Sequence, residues 1–301
     1  MNPKKVFITG SNGLLGQAMV KIFREDYAYT VTECDLAEES FNAKFVKNEY
    51  VQLDLTRREQ VEKILSALKP DIIINTAAFT DVDKCEKERE LCWTTNVRSV
   101  EILVESVVDF SPVFIQISTD YIFDGKSGLY RESSEAKPAS YYGQTKMAAE
   151  KVIRGSGLEY IIARTMILFG FGEKIRNNFV TWVIKQLKSG NKIKVVNDQR
   201  GNPTLADDVA EAIKRLLEQE EYGIFHVSGR EVCSRYEFAK KIAEVFDLDG
   251  KLIEEVDSSA LNQAAPRPFN SSFNLDKLSN TLDWLPGGIE DSLIKLKKQS
   301  R

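Results

Sequence analysis

Histidine is almost missing from this chain: His226 is the single one in 301 residues. A multi-histidine zinc site is thereby excluded, and a Ser-His-Asp triad would have to use this one residue. It stands in the apolar run Phe225-His226-Val227, which reads as a satisfied, half-buried strand position. Cysteine is scarce too. Cys34, Cys85, Cys92 and Cys233 form no Cys-x-x-Cys pair, and Cys85 and Cys92, seven apart, suit two places on one helix better than a metal site. Scattered thiols in a chain this long read as reduced and cytoplasmic. Long apolar runs are absent as well. Val6-Phe7-Ile8 near the start is far shorter than a signal-peptide core or a membrane span, so no membrane contact is expected. Neither sign of charge dominates, and a net charge of −4 gives no reason to expect nucleic acid as a partner. A negative total still permits a small anionic ligand, because binding depends on local donors.

What is present is a rhythm. Short apolar runs alternate with helix-spaced segments through the first half. Strands are predicted at 6–8, 29–34, 50–53, 71–74, 113–117 and 160–163, and helices at 14–23, 57–68, 90–108 and 142–153. Asp71-Ile72-Ile73-Ile74 is continuous, as a strand covered on both faces requires. The pattern predicts an α/β fold: a Rossmann-type, doubly wound parallel sheet with ligands at the carboxyl ends of its strands. After about Gly170 the rhythm breaks. Helices are expected at 178–187, 208–217 and 235–246, a strand at 192–196, one more core strand at 222–227, and two short helices in the tail. The expected division is a dinucleotide-binding domain over 1–170, joined by a returning strand near 222–228, and a smaller, interleaved C-terminal substrate-binding lobe over 171–301.

Gly10-Ser11-Asn12-Gly13-Leu14-Leu15-Gly16 follows the first predicted strand and opens the first predicted helix. Glycines there make a tight turn, let backbone approach a pyrophosphate, and let the helix pack close to the sheet. The helix N-terminus then offers free N–H groups to phosphate. An ordinary strand-to-helix turn is the bland alternative; the flanking elements favour the dinucleotide reading. Asp35 ends the second strand, about twenty residues past the glycines, where a carboxylate would bond the adenosine ribose hydroxyls. The neighbourhood Glu33-Cys34-Asp35-Leu36-Ala37-Glu38-Glu39 holds no lysine or arginine, which leans the expected cofactor, NADH or NADPH, toward NADH. Asp54, ending the third strand, suits either an adenine contact or a simple strand-end cap.

Tyr-x-x-x-Lys occurs twice, as Tyr142/Lys146 and Tyr236/Lys240. Position separates them. Tyr142 follows the fifth strand, on a helix beside the Ser118-Thr119 strand end. Residues i and i+4 share a helix face, so the Lys146 ammonium is expected near the Tyr142 phenol, lowering its pKa. Tyr236/Lys240 lies on a helix whose Phe238, Ala239, Ile242, Ala243 and Phe246 read as a packing face, so that pair is taken as structural.

Thr9-Gly10-x-x-Gly13-x-x-Gly16, Asn75-Thr76-Ala77-Ala78, Ser118-Thr119-Asp120 and Tyr142-x-x-x-Lys146 together resemble the extended short-chain dehydrogenase/reductase superfamily. A narrower resemblance, to the dTDP-4-dehydrorhamnose reductases, rests on the segments 80–86, 118–125, 142–146, 178–180, 198–204 and 267–271, and it runs nearly end to end. The resemblance implies reduction of a 4-keto sugar on thymidine diphosphate. It makes Tyr142 the proton donor, Lys146 the ribose ligand, and Thr119, with Ser118, the hydrogen-bond partner of the carbonyl. Leu55, Ala77, Ala78, Thr80 and Asn96 would line the cofactor channel. Val82, Asp120, Phe123, Asn178, Pro203, Thr204, Arg267 and Asn270 would contact the sugar nucleotide, with Arg267 the diphosphate partner. A homodimer is possible, and magnesium, which some members bind, has no assignable ligands here.

Two details sort related chemistries. Dehydratases of the superfamily carry an acid directly after the Thr-Asp pair; here that residue is Tyr121. The family often shows Arg-Thr-x-Trp after the sixth strand, whereas this chain has Arg164-Thr165-Met166-Ile167. The alternatives are an epimerase of the same fold, which keeps its cofactor bound, and a non-catalytic subunit resembling the regulatory subunit of methionine adenosyltransferase. The intact Thr119, Tyr142 and Lys146 favour catalysis.

Overall fold

The computed structural model describes residues 2–42, 49–261 and 263–299. Its strands are β1 (Lys4–Thr9), β2 (Tyr29–Asp35), β3 (Glu49–Gln52), β4 (Ile72–Asn75), β5 (Val113–Thr119), β6 (Tyr160–Thr165), β7 (Leu168–Phe169), β8 (Ile193–Val196), β9 (Arg200–Gly201), β10 (Thr204–Leu205), β11 (Gly223–His226), β12 (Cys233–Ser234) and β13 (Ile253–Val256). The α-helices are α1 (Leu14–Arg24), α2 (Arg58–Leu68), α3 (Val82–Lys87), α4 (Arg89–Trp93), α5 (Ser99–Glu105), α6 (Tyr141–Gly155), α7 (Phe179–Lys188), α8 (Ala206–Glu218), α9 (Arg235–Val245), α10 (Asp276–Leu282) and α11 (Ile289–Gln299).

One parallel sheet runs in the order β11-β6-β5-β4-β1-β2-β3. Its central strands are apolar on both sides because both faces are covered. Phe7, Ile73 and Phe114 pack toward α2, α5 and α6, while Val6, Ile8, Ile72 and Ile74 pack toward α1 and α8. Burying each such side chain contributes about 1.5–3 kcal/mol. The strand order reverses between β1 and β4, so the crevice for a ligand opens at the carboxyl ends of these two strands. A polar row crosses that edge of the sheet. Thr9 Oγ1 donates to Asn75 Oδ1 at 2.6 Å, and Asn75 Nδ2 donates to Gln116 Oε1 at 2.9 Å.

The second lobe packs α7, α9 and α11 against the parallel pair β8 and β13. The pairing of Ile193–Val196 with Ile253–Val256 is not legible in the sequence, because its register depends on a partner 60 residues away. The helix expected over 90–108 is interrupted. A π-helical turn, Thr94–Arg98, separates α4 from α5, and the helical segment ends at Glu105. Cys85 and Cys92 are also not on one helix. Glu88 leaves helical geometry (φ −110°, ψ 53°) and divides α3 from α4. Among the described residues no helix is long and apolar enough to cross a membrane.

One ion pair fastens α6 to the sheet. Arg164 on β6 donates to both oxygens of Glu150 on α6, at 2.9 and 2.7 Å, with side chains only 5% and 4% exposed. Ser118 on β5 donates to the same carboxylate at 2.5 Å. Arg164→Met should therefore leave a buried carboxylate without its cation and cost about 3–5 kcal/mol. Urea unfolding of the variant measures this, and an unchanged midpoint would contradict the assignment.

Candidate active site

The glycine turn leaves no room for side chains. Gly10 has φ +65°, and a Cβ there would lie 2.7 Å from the Ala77 nitrogen. A Cβ on Gly16 would lie 2.1 Å from the Gly10 oxygen. Both obstacles are backbone, so α1 can start this close to β1 and β4 only with glycine in these places. Beside the turn runs a groove of about 680 Å³, lined by Gly10, Asn12, Gly13, Leu14, Asp35, Asp54, Leu55, Ala77, Ala78 and Thr80. Ser11 is buried with a hydroxyl that lacks a partner among the described residues, and Leu15 and Gly16 face the interior. A backbone cradle without Cβ atoms at a helix N-terminus fits a dinucleotide pyrophosphate.

Two carboxylates named from the sequence are held by backbone. Asp35 accepts from Asn12 N at 3.0 Å and from Leu36 N at 2.7 Å. Asp54 accepts from the backbone N–H and hydroxyl of Thr56. The chain around Asp35 carries no cation, but space supplies two: Lys174 and Arg176 line the same groove from the second lobe. Lys174 pairs with Glu39 at 2.9 Å and sits 4.7 Å over the Phe41 ring. A chain-neighbourhood argument could not see them.

Thr119, at the end of β5, and Tyr142 and Lys146, one turn apart on α6, are buried together. Ser140 caps α6 by accepting from Gly143 N at 3.2 Å, which fixes where the helix begins. The Tyr142 ring packs in a cluster with Phe79 and Tyr121. Phe79 walls the groove, and Tyr121, 5.7 Å from Tyr142 between ring centroids, walls a second cavity of about 410 Å³. Tyr142 thus packs against one wall residue of each space without itself lining either, and Asn178 lines both.

The electrostatics differ from the sequence expectation. Burial and the nearby Asp120 charge push the Tyr142 phenol well above its ordinary value, and the Thr119 hydroxyl opposes them. The expected lowering by Lys146 is not what governs this phenol; desolvation is. Lys146 itself is pushed down to about 8 by burial, with Glu150 acting in the opposite sense. Its ammonium makes no hydrogen bond or ion pair among the described residues. Asp120 is held above the usual carboxylate range by burial, against hydrogen bonds from Ser271 (2.5 Å) and Thr119 (3.1 Å).

Several named residues sit elsewhere or are engaged. Ser118 turns to Glu150 and not toward a carbonyl beside Thr119. Asn96 lies in the π-helical turn and clamps Phe79 through its N–H (2.7 Å) and carbonyl (3.1 Å), and it donates to Thr145 (3.0 Å). It shapes the groove wall and does not line it. Val82 packs beside Tyr142. Phe123 is core, stacked on Tyr130 at 4.3 Å. Pro203 is buried, and Thr204 bonds Asn202 O and Gly229 N. Asn270 accepts from Ser272. Asn178 caps α7, accepting from Thr181 N, and ties Gly170 O. Arg267 is locked to Asp83 by two bonds of 3.0 and 2.9 Å.

The structural reading of the second Tyr-x-x-x-Lys pair has direct support. Lys240 donates to Gly250 O at 2.9 Å, and Tyr236 packs in the second lobe. His226 is fully buried, not half-buried. Burial and Arg164 push it down to about 3. No group of three or more His, Cys, Asp or Glu side chains among the described residues is placed to hold a metal ion. The second cavity adds residues the sequence argument passed over: Trp182, Gln199 and Arg235. Only their convergence in space marks them.

This sheet order, with a glycine cradle at the switch point and a phenol and ammonium on the helix after β5, defines an extended short-chain dehydrogenase/reductase. The chain belongs to the RmlD substrate binding domain family, whose model matches residues 4–297. It is 30% identical over 305 residues to a dTDP-4-dehydrorhamnose reductase from Aggregatibacter actinomycetemcomitans, covering 97% of this chain and 98% of that protein. A crystal structure of dTDP-4-dehydrorhamnose reductase from Bacillus anthracis in complex with NADP superposes with a TM-score of 0.88 at 31% identity, covering 99% of both chains. The chain is also 29% identical over 281 residues to methionine adenosyltransferase 2 subunit beta from Xenopus tropicalis, covering 91% of this chain and 81% of that one. The family is thus one of NAD(P)-dependent sugar-nucleotide reductases with at least one relative named as a subunit of a different enzyme.

Lysine-selective NMR tests the electrostatics directly. Lys146 should titrate near pH 8, well below exposed lysines near ~10.4. Glu150→Gln removes the charge that raises it and should carry it lower still. Titration with the surface lysines would refute the buried setting.

Proposed function

We propose that this protein reduces the 4-keto group of a thymidine-diphosphate-linked sugar, dTDP-4-dehydrorhamnose in the first instance, giving dTDP-rhamnose. The observation that carries the reading is Tyr142 buried beside Thr119 and packed against Phe79 of the glycine-cradled groove and Tyr121 of the second, cation-lined cavity. The groove residues Gly10 to Gly16, Asp35, Ala77, Ala78 and Thr80 would hold the dinucleotide, and Lys146 its nicotinamide ribose. A bound nicotinamide supplies hydride to the carbonyl carbon. The Thr119 hydroxyl orients the carbonyl oxygen. Tyr142 gives its proton to that oxygen as it becomes an alkoxide. A phenol kept neutral by burial is a proton store at neutral pH, and the protein need not generate phenolate before turnover. The buried corner excludes water from the developing charge.

A non-catalytic role, suggested by the methionine adenosyltransferase relative, and an epimerase that retains its cofactor are separated from this reading by net consumption of reduced cofactor. With dTDP-4-dehydrorhamnose as substrate, Tyr142→Phe should lower kcat at least ~100-fold with cofactor binding retained. Turnover near wild type would remove Tyr142 from the mechanism. On the cofactor, Asp35 lines the groove and Lys174 is committed to Glu39, which favours NADH as donor against the opposing charge of Arg176 in the same groove. A like-charge contact with a 2′-phosphate is worth about tenfold. The ratio of kcat/KM for NADH over NADPH should reach that scale and shrink in Asp35→Ala; a wild-type preference for NADPH would overturn the assignment.

A further inference from the structure

The second cavity is unusual for an acidic chain. Lys194, Arg235 and Arg267 line it, and no carboxylate does. These three cations are not equivalent. Lys194 lies at the rim, 60% exposed and 4.0 Å from Glu254. Arg267 is already neutralised by the two-bonded Asp83, whose second contact, with Ala265 N at 2.8 Å, holds the same loop. Moving Arg267 to a ligand would break that anchor. Arg235 differs from both. It is the first residue of α9, fixed by the Ser234–Glu237 capping box, and its guanidinium stands 5.2 Å over the Phe179 ring. Its side chain has no hydrogen bond or ion pair among the described residues. Burial disfavours its charged form, and the nearby Asp120 carboxylate acts in the opposite sense.

We propose that Arg235, and not Arg267, is the guanidinium that takes the diphosphate of the sugar nucleotide. This rests on the reading above and adds the residue that recognises the substrate's charge. The order of groups follows the substrate's chemistry. In a 4-keto pyranose the carbonyl and the anomeric carbon lie on opposite sides of the ring. With the carbonyl at Thr119 and Tyr142, the diphosphate emerges one ring width away. Tyr121 spans that interval, touching Tyr142 on one side and sharing the second cavity with Arg235 on the other. Beyond Arg235, Phe179 and Trp182 form an aromatic wall, 5.9 Å between centroids, suited to the base. A planar guanidinium fork held by an aromatic face matches phosphate oxygens with two donors.

Calorimetric titration of the full chain with thymidine diphosphate and with thymidine tests this. Arg235→Gln should weaken thymidine diphosphate ~10–100-fold, the scale of a charge-assisted contact. Thymidine affinity and dinucleotide affinity should not change. KM for the sugar nucleotide should rise by a similar factor, with a smaller change in kcat. Arg235→Lys, which keeps the charge without the fork, should fall between the two; this variant also carries the test if Arg235→Gln fails to fold. Equal thymidine diphosphate affinity in wild type and both variants overturns the role of Arg235 and leaves the proposed function standing. Failure of the wild type to bind thymidine diphosphate overturns both.

Discussion

A single carboxylate sets the geometry on which the rest of the site depends. Glu150 receives Ser118 from β5 and both arms of Arg164 from β6 while standing on α6, the helix of Tyr142 and Lys146. A buried carboxylate survives only when its lone pairs are filled, so these three elements cannot slide independently. The same charge acts one turn along the helix on Lys146 and opposes the loss of its proton that burial favours. Structural fastening and tuning of the ammonium are therefore one interaction. Ser118, attractive from sequence as a second hydroxyl for the substrate, is the cost of it: its hydroxyl is consumed in holding the helix.

The parts legible in the sequence are those fixed by local rules. Glycine spacing gave the β1–α1 turn because only residues without Cβ tolerate those contacts, and an unbroken apolar run gave β4 because a covered parallel strand needs no polar face. What escaped was set by distant partners. Nothing near Ile253 announces that it pairs with Ile193, and nothing near Asp35 announces Lys174. The π-helical turn at Thr94–Arg98 hides inside helical periodicity; its use is visible only once Asn96 is seen clamping Phe79. The Tyr142 phenol is the sharpest case. Spacing alone suggested that the lysine would lower its pKa, but desolvation is a property of packing and outweighs the neighbour.

Two matching Tyr-x-x-x-Lys segments show how far spacing goes. Both sit on helices with the same i, i+4 geometry. Tyr142/Lys146 starts at the carboxyl edge of the sheet, where strand ends converge, whereas Tyr236/Lys240 belongs to a helix of the second lobe whose lysine closes on Gly250 O. Location relative to the sheet, not the motif, decides which phenol can meet a ligand.

The corner around Thr119 and Tyr142 is also built from the far end of the chain. Asn270 N bonds Gly125 O, Ser271 bonds Asp120, and Tyr130 N bonds Ser272 O. The segment 268–273 therefore straps the loop that follows Thr119, and the Arg267–Asp83 pair pins the strap's leading end to α3 beside Tyr142. Arg267 spends its charge on this closure. An arginine that holds a wall shut is poorly placed to release it for each substrate, since breaking a half-buried, two-bonded pair leaves Asp83 to be solvated anew. Recognition of an anion in the adjoining cavity then falls to a cation whose position is already secured by a helix cap and an aromatic face and whose donors are free.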